Sequence, residues 1–215
     1  MTERGLFITL EGPEGSGKST HARRLAEQLR AAGHATVEVR DPGGTALGDA
    51  IRRLLQGGVA GEPMAAESEL FLFMASRAQL VKQVIVPALA RGEWVICDRF
   101  ADSTCAYQGY GRGLSLEAIL AANAAATGGL EPDLTVLLDL DVEEGFRRLR
   151  RRNSLRGTQR DRIERETPEF HERVRDGYLE LARRWPRRIR IVDALGDEAV
   201  VQQRIWDAVS HGQGF

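Results

Sequence analysis

The chain is poor in cysteine. Of its 215 residues only Cys97 and Cys105 are cysteines, and their spacing fits neither a C-x-x-C pair nor a metal-ligand pattern. No disulfide framework is expected from two such residues, and both should be reduced thiols. Long apolar runs are missing too. None approaches the roughly 18 residues of a membrane span, and the amino-terminal residues lack the basic-then-apolar profile of a signal peptide. A cytoplasmic protein with no membrane partner is therefore the expectation. Charge of one sign is not in excess: 30 Lys and Arg face 31 Asp and Glu, a net charge of -1 that argues against a general polyanion binder. Neither linker, repeat nor low-complexity tract divides the chain, so one domain spanning 1–215, with a single substantial core, is expected.

What is present is an alternation of short β-rich runs with longer helical ones, the pattern of a parallel sheet covered on both faces. The runs predict strands at 6–10, 36–39, 94–97, 134–139 and 189–192. Helices are predicted at 19–32, 45–55, 65–90, 116–126, 142–152, 167–184 and 198–211.

The first strand runs directly into Gly12-Pro13-Glu14-Gly15-Ser16-Gly17-Lys18-Ser19, a full G-x-x-x-x-G-K-S phosphate-binding loop followed by a helical pattern. Small, φ-permissive residues let successive backbone N–H groups turn inward onto a β-phosphate. Lys18 adds charge between the β- and γ-phosphates, and the Ser19 hydroxyl is placed for Mg²⁺. In such a fold the ligand residues come from the carboxyl ends of the strands. Strand two runs out into Arg40-Asp41-Pro42-Gly43-Gly44-Thr45 and strand three into Asp98-Arg99-Phe100.

Two classes of phosphate-loop protein lack their signatures here. The only asparagines, Asn123 and Asn153, are followed by Ala124 and Ser154, so there is no N-K-x-D segment to read guanine. The Asp-Glu pair with which a mechanical ATPase aligns its water is missing as well, because the strand ends read Asp98-Arg99 and Asp139-Leu140. An arginine beside the Mg²⁺-side aspartate suits a second phosphate, which a guanidinium grips with two parallel hydrogen bonds. A kinase for a small phosphorylated acceptor needs positioning and charge neutralisation and no dedicated protein base.

Asp98 is accordingly the candidate carboxylate for Mg²⁺, although a strand-end aspartate also caps helices. Arg99 is assigned to the acceptor phosphate or the transferring group. Phe73 and Arg77 lie four apart and share a helix face. With Arg52 on the preceding helix they could stack on a base and meet its oxygen and phosphate, while Phe73 alone would read as a core aromatic. The polar, aromatic, glycine-rich segment 102–113 reads as a base-binding loop or as a flexible connector.

Taken in order, these segments resemble the bacterial thymidylate kinase family along nearly the whole chain. The matching stretches are Glu11 to Ser19, Arg40 to Thr45 (usually with Glu where Asp41 stands), Leu72-Phe73-Met74-Ala75-Ser76-Arg77, Asp98-Arg99-Phe100, Ser103 to Gly113, Pro132-Asp133-Leu134-Thr135 and Asp161-Arg162-Ile163-Glu164. The resemblance implies a three-layer P-loop nucleoside monophosphate kinase fold with a five-stranded parallel sheet and a mobile lid at about 150–162. It implies phosphorylation of dTMP to dTDP by MgATP, in dTTP biosynthesis, by a homodimer. By the same resemblance Phe73 stacks on thymine, Arg77 and Thr104 meet its polar edge, and Gln108 lies beside the pocket. Tyr107 fills the space of a 2′-hydroxyl, Glu14 reaches the acceptor sugar, Arg52 and Arg99 hold the acceptor phosphate, and Asp41 belongs to the same site.

The stretch from Arg147 to Arg165 holds nine arginines against two acids, Asp161 and Glu164. It could be a solvated basic face or a nucleic-acid contact, but acids interrupt it and no aromatic within it offers a base a stacking partner. In the family, a lid arginine serves where the phosphate loop lacks a basic residue, and Gly15 occupies that position here. Arg152 aligns best with that role and Arg162 second. The competing expectations are a kinase for another nucleotide or nucleoside and an ATP-dependent nucleic-acid-binding regulator.

Overall fold

Strand β1 (Phe7–Glu11) is buried at every position, because the helical layers cover both faces of the sheet that it centres. The computed structural model describes residues 4–59, 61–157 and 159–213. The amino-terminal end and residue 158 of the expected lid thus lie outside the described residues. The other strands are β2 (Thr36–Arg40), β3 (Trp94–Asp98), β4 (Leu134–Asp139) and β5 (Ile189–Asp193), all parallel in the order β2-β3-β1-β4-β5. Each begins within a residue of its predicted position.

Side-chain alternation along β1 decides which layer meets which. Ile8 and Leu10 face α1 (Lys18–Ala31) and the carboxyl-terminal α9 (Glu198–Gln213), packing on Leu25, Leu29, Ile205 and Val209. Phe7, Thr9 and Glu11 face the other way. On that side lie α3 (Ala66–Leu80), a π-helical turn (Val81–Ile85), α4 (Val86–Ala90) and α8 (Pro168–Arg184). The register sets Leu10 opposite Asp98, and Asp98 opposite Arg40. The carboxyl ends of three strands are thereby level, and the loops leaving them converge.

The stretch Ala66–Ala90 is one continuous helix, long and apolar enough by composition to cross a membrane, with a mean hydropathy of 1.2 over the relevant window. In the fold it is a layer of the domain, and it buries Glu69 and Arg77 in ion pairs with other elements.

Segment 102–113 departs from the expected loop or connector. Residues 101–111 are helical, as α5 (Ala101–Thr104) running into a π-helical stretch (Cys105–Gly111) that is buried over most of its length. Gly111 serves close packing instead of turning the chain. A Cβ on Gly111 would lie 2.7 Å from Phe170 of α8, and one on Gly177 of α8 would lie 2.6 Å from Tyr110. The remaining helices are α2 (Ala46–Gly57), α6 (Leu116–Thr127) and α7 (Val142–Arg156). Helix α7 runs past the predicted end at Arg152 and stops at Gly157, whose φ of 62° supplies the left-handed cap.

Candidate active site

The converging loops enclose a cleft of about 570 Å³. Gly15, Gly17, Lys18 and Ser19 of the phosphate loop line one end, while Pro13 and Ser16 brace the loop from behind. Ser16 donates its Oγ to the Pro13 carbonyl at 2.9 Å, and Gly12 packs against the Leu138 carbonyl. Lys18 is buried and donates to the Pro13 carbonyl at 2.7 Å and to Ser16 Oγ at 3.2 Å. Burial, reinforced by the nearby Arg99 charge, pushes its pKa down to about 8.

Gly15 needs its glycine for two reasons. Its φ is 76°, and a Cβ there would lie 2.3 Å from the carbonyl oxygen of Gly145 on α7. Gly145 is equally constrained, since a Cβ on it would lie 2.4 Å from the Glu14 carbonyl oxygen. Loop and helix therefore touch backbone to backbone, through a pair of glycines.

Ser19 donates its Oγ to Asp98 Oδ2 at 2.5 Å, and the other Asp98 oxygen is buried with no protein donor among the described residues. This hydroxyl and carboxylate are hard oxygen donors, and a Mg²⁺ that takes its other ligands from phosphate and water needs no more from the protein. The residues fit the ion.

Between the loop and the far end of the cleft stands Arg99, the one non-glycine described residue with positive φ, at 69°. Its Nη2 donates to Glu14 Oε1 at 2.5 Å and to the Tyr107 hydroxyl at 3.1 Å, and its Nη1 reaches the Gly12 carbonyl, Ser103 and Tyr178. Glu14 also accepts from the Tyr107 hydroxyl at 2.8 Å. Burial opposes charge on Glu14, but Arg99, Lys18 and that hydroxyl together hold its pKa at about 2.

The unusual backbone at Arg99 has an anchor that the sequence does not advertise. Glu11, at the end of β1, accepts from the Phe100 amide at 2.7 Å, the Ser103 amide at 3.2 Å, Ser103 Oγ at 2.5 Å and the Tyr178 hydroxyl at 2.9 Å. Its carboxylate thus caps the start of α5 from a neighbouring strand and pins the residues on either side of the turn. Burial first, and then the Asp102 charge, push its pKa up to about 7.

At the far end lie Phe73, half-buried, with Arg77, Thr104, Tyr107 and Gln108. Arg77 is 1 % exposed and donates to Asp41 Oδ2 at 2.5 Å, Asn123 Oδ1 at 2.5 Å, the Phe100 carbonyl at 3.1 Å and Thr104 Oγ1 at 2.9 Å. Four of its five N–H groups are spent inside the protein. Asp41 acts first on Arg77, as its buried counter-ion, and burial raises the pKa of Asp41 above the usual range. Arg52 lines the cleft and donates to the Pro42 carbonyl at 3.0 Å.

The two arginines expected in a lid separate. Arg152 lines the cleft and pairs with the buried Glu164 at 2.6 Å, and Arg148, one turn earlier on α7, lines it as well. Arg162 does not line it: its Nε donates to the Leu55 carbonyl at 3.0 Å, its amide to the Gln56 carbonyl at 3.0 Å, and its guanidinium pairs with Glu69. Sequence reading missed Glu11, Glu69, Gly145, Arg148 and Tyr178. Glu69 and Arg148 carried a signal, each lying four residues before a candidate on the same helix face, Phe73 and Arg152. The others meet the site only through tertiary contact.

The chain as a whole is similar to known proteins. A thymidylate kinase from Deinococcus radiodurans is 52% identical over 208 residues, 96% of this chain and 97% of that protein. One from Pseudomonas putida is 50% identical over 208 residues, 97% and 96% of the two chains. The crystal structure of thymidylate kinase from Ehrlichia chaffeensis superposes with a TM-score of 0.75 at 32% identity, over 96% of this chain and 99% of that one. With the thymidylate kinase sequence profile matching residues 10–205, the chain belongs to the thymidylate kinase family.

Proposed function

We propose that the chain transfers the γ-phosphoryl group of ATP to dTMP, giving dTDP and ADP. The observation that carries this reading is the position of Arg99, whose guanidinium touches the phosphate loop at Gly12 and Glu14 and the acceptor side at Ser103 and Tyr107. An oxygen of the dTMP phosphate attacks the γ-phosphorus as the bond to the β-phosphate oxygen breaks, and Arg99 neutralises charge on both partners. Lys18 and the loop amides hold the donor. Ser19 and Asp98 would hold Mg²⁺, which when bound offsets the charge of the β- and γ-phosphates.

Phe73 stacks on the thymine, with Arg77 and Thr104 at its carbonyl edge and Gln108 beside it. Tyr107 and Glu14 close on the sugar, Arg52 and Arg99 hold the acceptor phosphate, and Asp41 keeps Arg77 in place. Of the lid residues at about 150–162, Arg152 is the one assigned to the transferring group, and Arg162 instead fastens the lid end to α2. Closing the site over both substrates excludes water and limits idle ATP hydrolysis. The single-domain and cytoplasmic state expected from the composition, and the homodimer that the resemblance implies, belong to the same proposal, as does the absence of a nucleic-acid or membrane partner.

A panel of nucleoside monophosphates in a coupled ADP-release assay tests the reading. dTMP should be the preferred acceptor, and preference for AMP, GMP or CMP would overturn it. In the same assay Phe73→Ala should raise the KM for dTMP about fivefold to 150-fold, since stacking a base on an aromatic ring is worth about 1–3 kcal/mol.

Lys18 gives the reaction a pH signature. Its folded pKa lies below the ordinary lysine value, at about 8, so the free enzyme loses this positive charge as pH rises through that value. The charged form binds the triphosphate, and bound phosphate favours the charge. Accordingly kcat/KM for ATP should bend near pH 8 and fall about tenfold per further pH unit, while kcat at saturating ATP bends at higher pH. A kcat/KM profile flat to pH 9.5 would contradict the assignment of Lys18.

A further inference from the structure

Glu69 precedes Phe73 by one helical turn and Arg77 by two, so the three share the face of α3 that walls the cleft. Its side chain is 1 % exposed and ringed by donors. Gln108 donates Nε2 to Oε1 at 2.6 Å, Arg112 donates Nε to the same oxygen at 3.2 Å and Nη2 to Oε2 at 3.1 Å, and Arg162 pairs with Oε2. Burial works against a charge here, yet Arg112, Gln108 and Arg162 bring the Glu69 pKa below its ordinary value. An ionised carboxylate only accepts hydrogen bonds. A carbonyl turned toward it would be repelled, so the Gln108 amide has one allowed orientation. Its NH₂ faces Glu69, and its carbonyl is the group left for the cleft that Gln108 lines.

We infer that Glu69 is a positioning residue for base selection: by fixing the Gln108 amide it presents Oε1 as an acceptor in the base cavity, which favours a ring N3–H over a bare ring nitrogen. The inference rests on the assignment of this cleft to dTMP. Thymine carries N3–H between two carbonyls, whereas cytosine carries an unprotonated N3 whose lone pair would oppose Oε1. Arg77 and Thr104 supply donors to the same pocket, so the Gln108 carbonyl completes a donor and acceptor pattern that matches thymine. Glu69 also anchors Arg162, whose backbone and side chain hold the carboxyl-terminal end of α2. The group that orients the base reader and the group that holds the lid end are therefore one carboxylate.

Glu69→Gln tests this without changing shape. With its oxygen engaged by Arg112 and Arg162, the new amide turns an NH₂ toward Gln108, which rotates and offers its own NH₂ to the cavity. The ratio of kcat/KM for dTMP to that for dCMP should fall about tenfold, the scale of one lost hydrogen bond with its partner left unmatched. The change should lie in the KM for dTMP, with the KM for ATP unaltered. Gln108→Leu should reduce the ratio similarly, and the double variant should lose no more than either single one. Equal losses on dTMP and dCMP, or an unchanged ratio, overturn the inference. Should Glu69→Gln fail to fold, Gln108→Leu decides, because an unchanged ratio there means that the amide does not select. Phe73→Ala separates the two levels of argument. An unaltered KM for dTMP in that variant removes the base from this cleft and the inference with it, whereas a raised KM beside an unchanged Glu69→Gln ratio overturns the role of Glu69 alone.

Discussion

Arg99→Ala should lower kcat about 10³-fold with both substrates saturating, the scale on which an arginine stabilises a transferring phosphoryl group. Few side chains in the fold are so fully committed to one spot. The guanidinium serves Glu14, Tyr107, Gly12, Ser103 and Tyr178 together, and the backbone that aims it is left-handed, at a cost of about 1–2 kcal/mol for a residue with a Cβ. Glu11 offsets that cost by holding the Phe100 and Ser103 amides. Arg99→Lys should recover little of the loss, because an ammonium lacks the planar fork that reaches two sides of the cleft. Steady-state and single-turnover rates on the purified variants check the expectation. A kcat for Arg99→Ala within about tenfold of the unmodified enzyme would remove Arg99 from the transfer step, since the arginine contribution expected there is about 10³.

Gly15→Ala should be the second large effect, although it adds a single methyl group. The new Cβ would sit 2.3 Å from the Gly145 carbonyl in a residue with φ of 76°, and neither backbone can yield without moving α7 or the phosphate loop. Displacing α7 moves Arg148 and Arg152, and misplacing a charge by about 1 Å is enough to lower kcat about 10²-fold. The strained backbone alone costs about 1–2 kcal/mol, a fall in Tm of about 2–8 °C for a chain of this size. Gly15→Arg, which places a basic side chain in the phosphate loop, should therefore not compensate for Arg152→Ala. The double variant should be slower than Arg152→Ala alone, and a faster one would show that the loop accepts the side chain.

The phosphate loop, the strands and the order of the site motifs were legible because each is written locally. A strand such as Val95-Ile96-Cys97 announces itself by β-branched and apolar residues, and a G-x-x-x-x-G-K-S loop by spacing. Segment 102–113 was misread as a loop or connector because Gly109 and Gly111 look like turn residues. Gly111 is there for the close approach of α8, more than fifty positions away, and Gly109 packs beside Ile119 of α6. Glu11 was hidden for a related reason, because on sequence it is only the last residue before the loop. What makes it a hub is the alternation that turns it toward Phe100, Ser103 and Tyr178. Arg162 shows the converse, a plausible cleft arginine by spacing that the fold assigns to Glu69 and the end of α2. Nothing in a linear pattern states which of nine neighbouring arginines faces a cleft.

The Glu11 anchor also bears on how separable the parts of this enzyme are. The phosphate loop and the Asp98-Arg99-Phe100 turn look like independent cassettes, each short, recognisable and open to exchange between relatives. Glu11 adjoins the first and bonds the second, and it closes the circuit through a tyrosine on a helix 167 positions on. A graft that replaces one cassette while altering Glu11, Ser103 or Tyr178 would import the motif and lose the geometry that gives it meaning. The natural unit of exchange is the set of three distant segments, which no single crossover can carry.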